Sequence, residues 1–143
     1  MHVSDFLSDE LETRLGVVYQ AATAARHMFL TVDHLLLAIL GAPKVTEILS
    51  AQGCDVGELE QQLQRYMDEE VPRSKEGEKH ELQPTMGFRR VMERAVYNAQ
   101  LGLKRRAGVE DALGAICEEK VFPDERDAHA VKLLERLSER SQG

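Results

Sequence analysis

The sequence predicts an all-α domain, and three observations carry that reading. Apolar residues recur at helical spacing through most of the chain. Capping residues stand directly ahead of those periodic runs. No run alternates apolar and polar residues for long enough to make a half-buried strand.

Taken in order, Leu11, Leu15, Val18 and Ala22 share the face of a first helix, and Asp9-x-x-Glu12 reads as its capping box. That helix fades near Arg26-His27. Thr31 caps a second helix, whose apolar run Leu35-Leu36-Leu37 with Ile39-Leu40 is too continuous for a solvent-facing element; Gly41-Ala42-Pro43 stops it. A short third helix is expected from about Val45 to Gln52, with Gly53 as the residue after its end. Asp55-x-x-Glu58 opens a fourth, lined by Leu59, Leu63, Tyr66 and Met67. Residues 68–84 break the pattern with Pro72, Gly77, Pro84 and many charges. Val71 and Leu82 are the aliphatic residues there, which predicts a mobile loop. Thr85 caps a fifth helix striped by Phe88, Val91, Met92, Ala95, Val96 and Ala99. A turn with Gly108 leads into a sixth helix from Val109 to about Glu118. Beyond Pro123, Asp127 caps a last helix carrying Val131, Leu134 and Leu137.

The 143 residues suffice for one domain with a core of its own. Composition is that of a globular chain, 43% hydrophobic and 30% charged. Eighteen basic against 25 acidic residues leave a net charge of −7, which opposes wrapping by nucleic acid. The longest apolar run, Leu35 to Leu40, falls far short of the ~20 residues that cross a bilayer. The opening MHVSDFLSDE lacks the basic start and apolar core of a signal peptide, so the cytoplasm is the expected location. Cys54 and Cys117 make neither a CxxC motif nor a disulfide framework and are expected to pack as small apolar residues.

An internal repeat is the most informative feature. Val32-Asp33-His34-Leu35-Leu36 aligns with Val109-Glu110-Asp111-Ala112-Leu113, 77 positions later. The same shift places Leu11, Leu15, Val18 and Ala22 on Phe88, Met92, Ala95 and Ala99, and Ala38-Ile39 on Ala115-Ile116. After a small insertion Ile48-Leu49 meets Leu133-Leu134. Chance agreement between amphipathic helices is the alternative, and an agreement running across three helices and a turn argues against it. Two such halves, each unable to bury its apolar face alone, should pack with approximate two-fold symmetry through Leu15, Leu36, Ile39, Met92, Leu113 and Ile116. The expected organisation is a single, monomeric domain over residues 1–143, with repeat one at about 9–70, a charged loop at 71–84 and repeat two at about 85–137.

The strings FLTVDHLLLAIL and QPTMGFRRVMERAVYNAQ resemble the amino-terminal domain of Clp ATPases, the second most closely that of ClpA. The resemblance covers about residues 8–137. It implies a non-catalytic, cytoplasmic binding module that docks a ClpS-like adaptor, a substrate protein or a Clp unfoldase partner, without cofactor. It also implies that the docking face includes Met28, Asp33, Thr85 and Arg90, and Thr31, the cap beside them, is counted with that face. Met28 departs from the glutamate of ClpA-like domains, which puts ClpS binding in question. In the related ClpC domains, acids matching Asp33 and Glu110 bind phosphorylated arginine. Against that, acids in a first helical turn offset the helix dipole without any ligand, and a shorter Asp33 and a poorer cap near Ala107 favour this simpler role. Two further departures are a long segment before Asp9 and only Ser138 to Gly143 after helix seven, where the family has an eighth helix. The expectation leans to a stand-alone relative with a shortened second half, the alternative being a chain cut from a larger protein.

No nucleotide-binding P-loop, GxSxG elbow or HExxH zinc motif occurs in the sequence, so this chain alone is not an ATP-driven motor. The competing reading is a small enzyme or metal-dependent protein using Glu118-Glu119 or Glu69-Glu70. Neighbouring carboxylates on one helix point about 100° apart and make no acid–base pair by themselves. His2, His27, His34, His80 and His129 show no metal-ligand spacing, and no metal is expected. Lys104-Arg105-Arg106 reads as a basic triplet at a helix end, complementing the dipole rather than binding nucleic acid.

Overall fold

The computed structural model describes residues 3–78, 81–119 and 125–142. After a 3-10 turn at Val3–Phe6 come α1 (Asp9–Ala24), α2 (Val32–Leu40), α3 (Pro43–Ala51) and α4 (Val56–Glu70). They are followed by α5 (Met86–Leu101), α6 (Val109–Glu118) and α7 (Glu125–Gln142). The class is all-α, in two similar helical repeats. Among the described residues the extended elements are β1 (Phe29–Leu30) and β2 (Gln83–Pro84), paired in parallel with Phe29 opposite Gln83 and Leu30 opposite Pro84. No single helix among the described residues is long and apolar enough to cross a membrane.

The shift of 77 carries α1 onto α5 end to end and the start of α2 onto the start of α6. It also relates features that no apolar pattern encodes. Arg26 and Leu103 form a shifted pair, and both stand in the left-handed region, at φ 61° and 60°. Just past them His27 N donates to Ala22 O at 3.0 Å, and Lys104 N to Ala99 O at 2.9 Å. The segments entering the repeats are doubled too. Thr85 N donates to Leu30 O at 3.0 Å, and Ser8 N to Ala107 O at 2.8 Å. The parallel bridge Leu7–Ala107 is thereby the counterpart of Pro84–Leu30. Each repeat's entry segment pairs with the other repeat's inter-helix segment. Such reciprocity is what a two-fold axis requires.

The core forms around that axis. Leu36, Ile39, Met92, Leu113 and Ile116 are buried in one cluster, with Leu15 packed at its edge. Leu11, Leu35, Leu59, Leu63 and Leu133 complete its interior.

Several local expectations give way to the structure. The cap of α1 is Ser8, whose hydroxyl accepts from Leu11 N at 3.2 Å, so Asp9 begins the helix rather than capping it. Pro43 opens α3 two residues earlier than expected, because proline suits a first helical position. Helix α4 runs to Glu70, and the segment after it is an anchored arm, with Val71, Ser74 and Leu82 buried. Met28 N donates to Pro72 O at 2.9 Å and Ser74 N to Arg26 O at 2.8 Å, and β2 then ties down its far end. Backbone pairing leaves no apolar period to read. Helix α5 ends at Leu101, so Lys104-Arg105-Arg106 lies in the following loop. Helix α7 starts at Glu125 and continues through Gln142, so Asp127 is inside its first turn and Ser138 to Gln142 are helical rather than a tail. Cys54 is buried, but Cys117 is exposed. After Leu40 the chain turns straight back into α3, with Thr46 Oγ donating to Leu40 O at 2.8 Å. After Cys117 the next described helix begins only at Glu125. His2, Lys79, His80, Pro123 and Gly143 lie outside the described residues.

Candidate docking groove

An apolar groove of about 660 Å³ opens between α1 and α5. Its walls are Phe6, Leu7 and Leu15 from the first half and Pro84, Phe88, Met92 and Val96 from the second, with Arg89 and Glu93 at the rim. Leu7 and Pro84 are a shifted pair, as are Leu15 and Met92, so the groove straddles the pseudo-two-fold axis. Helical spacing explains why it stays open. Phe88, Met92 and Val96 follow at intervals of four and form a ridge on α5, and α1 presents only Leu15 opposite. Phe88 and Val96 are left half-buried against the core. An apolar cleft with two rim charges of opposite sign accepts an amphipathic segment better than a small polar ligand.

None of the six predicted site residues lines this groove. Thr31 and Thr85 are buried caps, accepting from His34 N at 3.5 Å and Phe88 N at 3.1 Å. Asp33 is fully buried, and its Oδ2 lies 2.5 Å from His129 Nδ1. Arg90 is 42% exposed, and its guanidinium holds the buried Glu119 at 3.0 Å. Glu110 sits on the surface between Lys104 at 3.0 Å and Lys44 at 3.5 Å. Met28 is half-buried beside Thr85, because Gln83 N donates to Met28 O at 3.1 Å. The structure thus brings Met28, Thr31 and Thr85 to one junction and sends Asp33, Arg90 and Glu110 elsewhere. In the carboxylate pair Glu118-Glu119, Glu118 accepts from Asn98 Nδ2 at 3.1 Å, Glu119 takes Arg90 at 3.0 Å, and the Arg94 guanidinium reaches both, at 3.5 and 3.9 Å.

Asp127, read from sequence as a cap, is a buried bridge between the repeats. Its Oδ1 accepts from Thr85 Oγ at 2.7 Å and Val32 N at 3.2 Å, and its Oδ2 from Gly87 N at 3.2 Å. One carboxylate therefore satisfies first-turn donors of both α2 and α5. Position 87 has to be glycine for this, since a Cβ there would stand 2.5 Å from Asp127 Oδ2.

The sequence also missed the contact between His27 and His34, whose Nδ1 and Nε2 are 3.0 Å apart. Thr31 N donates to His34 Nδ1 at 3.0 Å, so the His34 proton sits on Nε2 and is donated to His27. Burial, then the neighbouring His27, pushes His34 down to about 4. Burial, then Arg73, lowers His27 as well. Burial raises Asp33 despite the hydrogen bond from His129. At Glu110 burial works against the charge, but its own backbone amide, Lys104 and Lys44 outweigh it and hold the carboxyl low. Among the described residues no group of three or more His, Cys, Asp or Glu side chains is placed to hold a metal ion.

Two helical repeats exchanging entry segments, with an apolar groove on their shared axis, define a double-repeat helical domain. The chain belongs to the Clp repeat N-terminal domain family, which it matches over residues 7–136. It is 30% identical over 131 residues to a ClpA homolog protein of Fuscovulum blasticum, covering 90% of this chain and 16% of that protein's length. The fold is similar to that of the N-terminal domain of the ClpV1 ATPase of the E. coli EAEC Sci1 type VI secretion system, with a TM-score of 0.73 at 19% identity. That alignment covers 96% of this chain and 84% of the other. The Hsp104 N-terminal domain of Candida albicans aligns with a TM-score of 0.71 at 15% identity, over 96% and 91% of the two chains.

Proposed function

We propose that this domain is a non-catalytic, cytoplasmic docking module, monomeric by itself, for an ATP-dependent unfolding and proteolysis system. It takes an amphipathic segment of an adaptor or degradation substrate into the groove between α1 and α5. The observation that carries this reading is the apolar groove on the axis, lined by Leu15, Phe88, Met92 and Val96, in a chain of the Clp N-terminal family. A ClpS-like adaptor would add contacts at Met28, which the buried caps Thr31 and Thr85 position and which offers packing where ClpA-like domains offer a charge. Dipole compensation is the role we assign to Asp33 and Glu110, each in a first helical turn.

The test is a fluorescence-anisotropy titration with a labelled amphipathic helical peptide. Met92→Glu puts a charge on the groove floor and should weaken binding tenfold or more, while Met28→Glu should leave it within about twofold. Equal affinity in wild type and Met92→Glu would overturn the groove as the docking site.

A further inference from the structure

The two inter-helix turns share a backbone but not a covering. Around the first, Arg26 O accepts from Ser74 N at 2.8 Å, Met28 N donates to Pro72 O at 2.9 Å, and His27 and Arg73 form an antiparallel bridge. The Arg26 guanidinium also donates to Ser74 O at 3.3 Å. The chain's own arm therefore lies on that turn as a short extended strand.

Around the second turn the matching groups are Leu103 O and Arg105 N, which have no hydrogen-bond partner among the described residues. Residues 101–106 are all exposed. Leu101 is 65% and Leu103 95% exposed, and Leu103 holds the left-handed conformation as well. A leucine in that conformation costs the fold backbone strain, and an exposed one returns no burial. Its counterpart Arg26 shows what the geometry is for, because there it presents a carbonyl to an extended segment. Charge adds to the picture. Lys104 pairs with Glu110 and Asp111, and Arg106 with Asp9, whereas Arg105 has no acidic partner among the described residues.

We propose that residues 103–105 are a second docking edge, which takes an extended, acidic segment of a partner protein in the way the first turn takes residues 72–74. Main-chain pairing to Leu103 O and Arg105 N would give register, an aliphatic side chain would cover Leu101 and Leu103, and a carboxylate would meet Arg105. This edge is separate from the groove between α1 and α5, and its failure would leave that reading untouched.

The probe is a synthetic heptapeptide keeping the Val-Pro-x-Ser pattern of residues 71–74, with acidic residues at its other positions, titrated into 15N-labelled protein. Saturable amide shifts are expected at Leu103, Lys104 and Arg105 and not at Arg26 to Met28, where the edge is already occupied. Arg105→Glu should weaken the interaction tenfold or more. Leu103→Gly, which keeps the left-handed backbone and removes the apolar contact, should weaken it severalfold without loss of stability. Shifts centred on Phe88 and Met92, no shifts, or shifts unchanged by both variants would overturn the proposal. So would concentration-dependent dimerisation abolished by Leu103→Gly, which would make a second copy the occupant.

Discussion

The turn between α1 and α2 and the turn between α5 and α6 superimpose in backbone logic and are held by opposite chemistry. In the first, neutral His34 accepts from its cap's N–H and touches buried His27. In the second, at the matching positions, Asp111 accepts from Gly108 N at 2.8 Å and pairs at 3.1 Å with Lys104, whose side chain is exposed. The cross-repeat pairs diverge in the same way. Asp33 meets His129 inside, stacked on Tyr66 at 3.7 Å, and Glu110 meets Lys44 outside. Each helix start needs an acceptor for its orphan N–H groups, and either a ring nitrogen or a carboxylate supplies it. The backbone fixes the demand and leaves the chemistry free. What decides between the two solutions is cover: the arm at 71–74 lies over the first turn, where an exposed ion pair would lose its water.

The largest effect on this comparison should come from Asp127, the carboxylate shared by both repeats. Asp127→Ala strands the Val32 and Gly87 amides and the Thr85 hydroxyl, and should cost about 3 kcal/mol in urea unfolding. Its counterpart Ala42, 85 positions earlier as Leu49 is to Leu134, carries no polar group at all. A cost below about 1 kcal/mol would mean that the donors find other acceptors and that the repeats are not joined there.

Acid should separate the turns next. His34 stays neutral in the fold down to about 4 but titrates near 6.5 when unfolded, so the unfolded chain binds the extra proton between these values. The contribution of the neutral ring is intact above pH 6.5 and is lost as pH falls toward 4, by roughly 3 kcal/mol. Asp33 works in the opposite sense, since its raised carboxyl keeps a proton in the fold where the unfolded chain has lost it. His34→Gln keeps an N3 acceptor for Thr31 N and removes the titration. The variant's stability between pH 6.5 and 4 should therefore fall much less than the wild type's, with the remaining fall due to His27 and, at the acid end, to Glu110. Parallel stability profiles would remove His34 as the acid-sensitive element.

Smallest is the exposed cluster. Lys104→Ala should cost no more than about 0.5 kcal/mol, and the cost should vanish at 1 M salt, because solvent screens these charges. A larger or salt-independent loss would show the second turn to be as interior as the first.

The fold was legible because its determinants are local and doubled. Caps at Thr31, Asp55 and Thr85, stops at Gly41 and Gly53, and the shift of 77 position the helices before any contact is known. The groove was half legible. Phe88, Met92 and Val96 read as a core stripe, and period alone does not say that α1 leaves part of it uncovered. Phe6 and Leu7 gave one signal, since Leu7 shifts onto Pro84 and so shares its place on the axis. The burial of Asp33 was not legible for a physical reason: a first-turn acid looks the same in sequence whether His129 covers it or water does. The pairs His27–His34 and Asp127–Thr85 depend on which side chains the turns bring within 3.0 Å and 2.7 Å, and spacing along the chain does not encode that.

Docking in the groove at the axis is read directly by methyl-resolved NMR. With an amphipathic helical peptide added to methyl-labelled protein, the methyl signals of Leu15, Met92 and Val96 should shift together and saturate, while those of Val17 on the outer face of α1 stay in place. Shifts at Val17 with Leu15, Met92 and Val96 unmoved would contradict docking between the repeats.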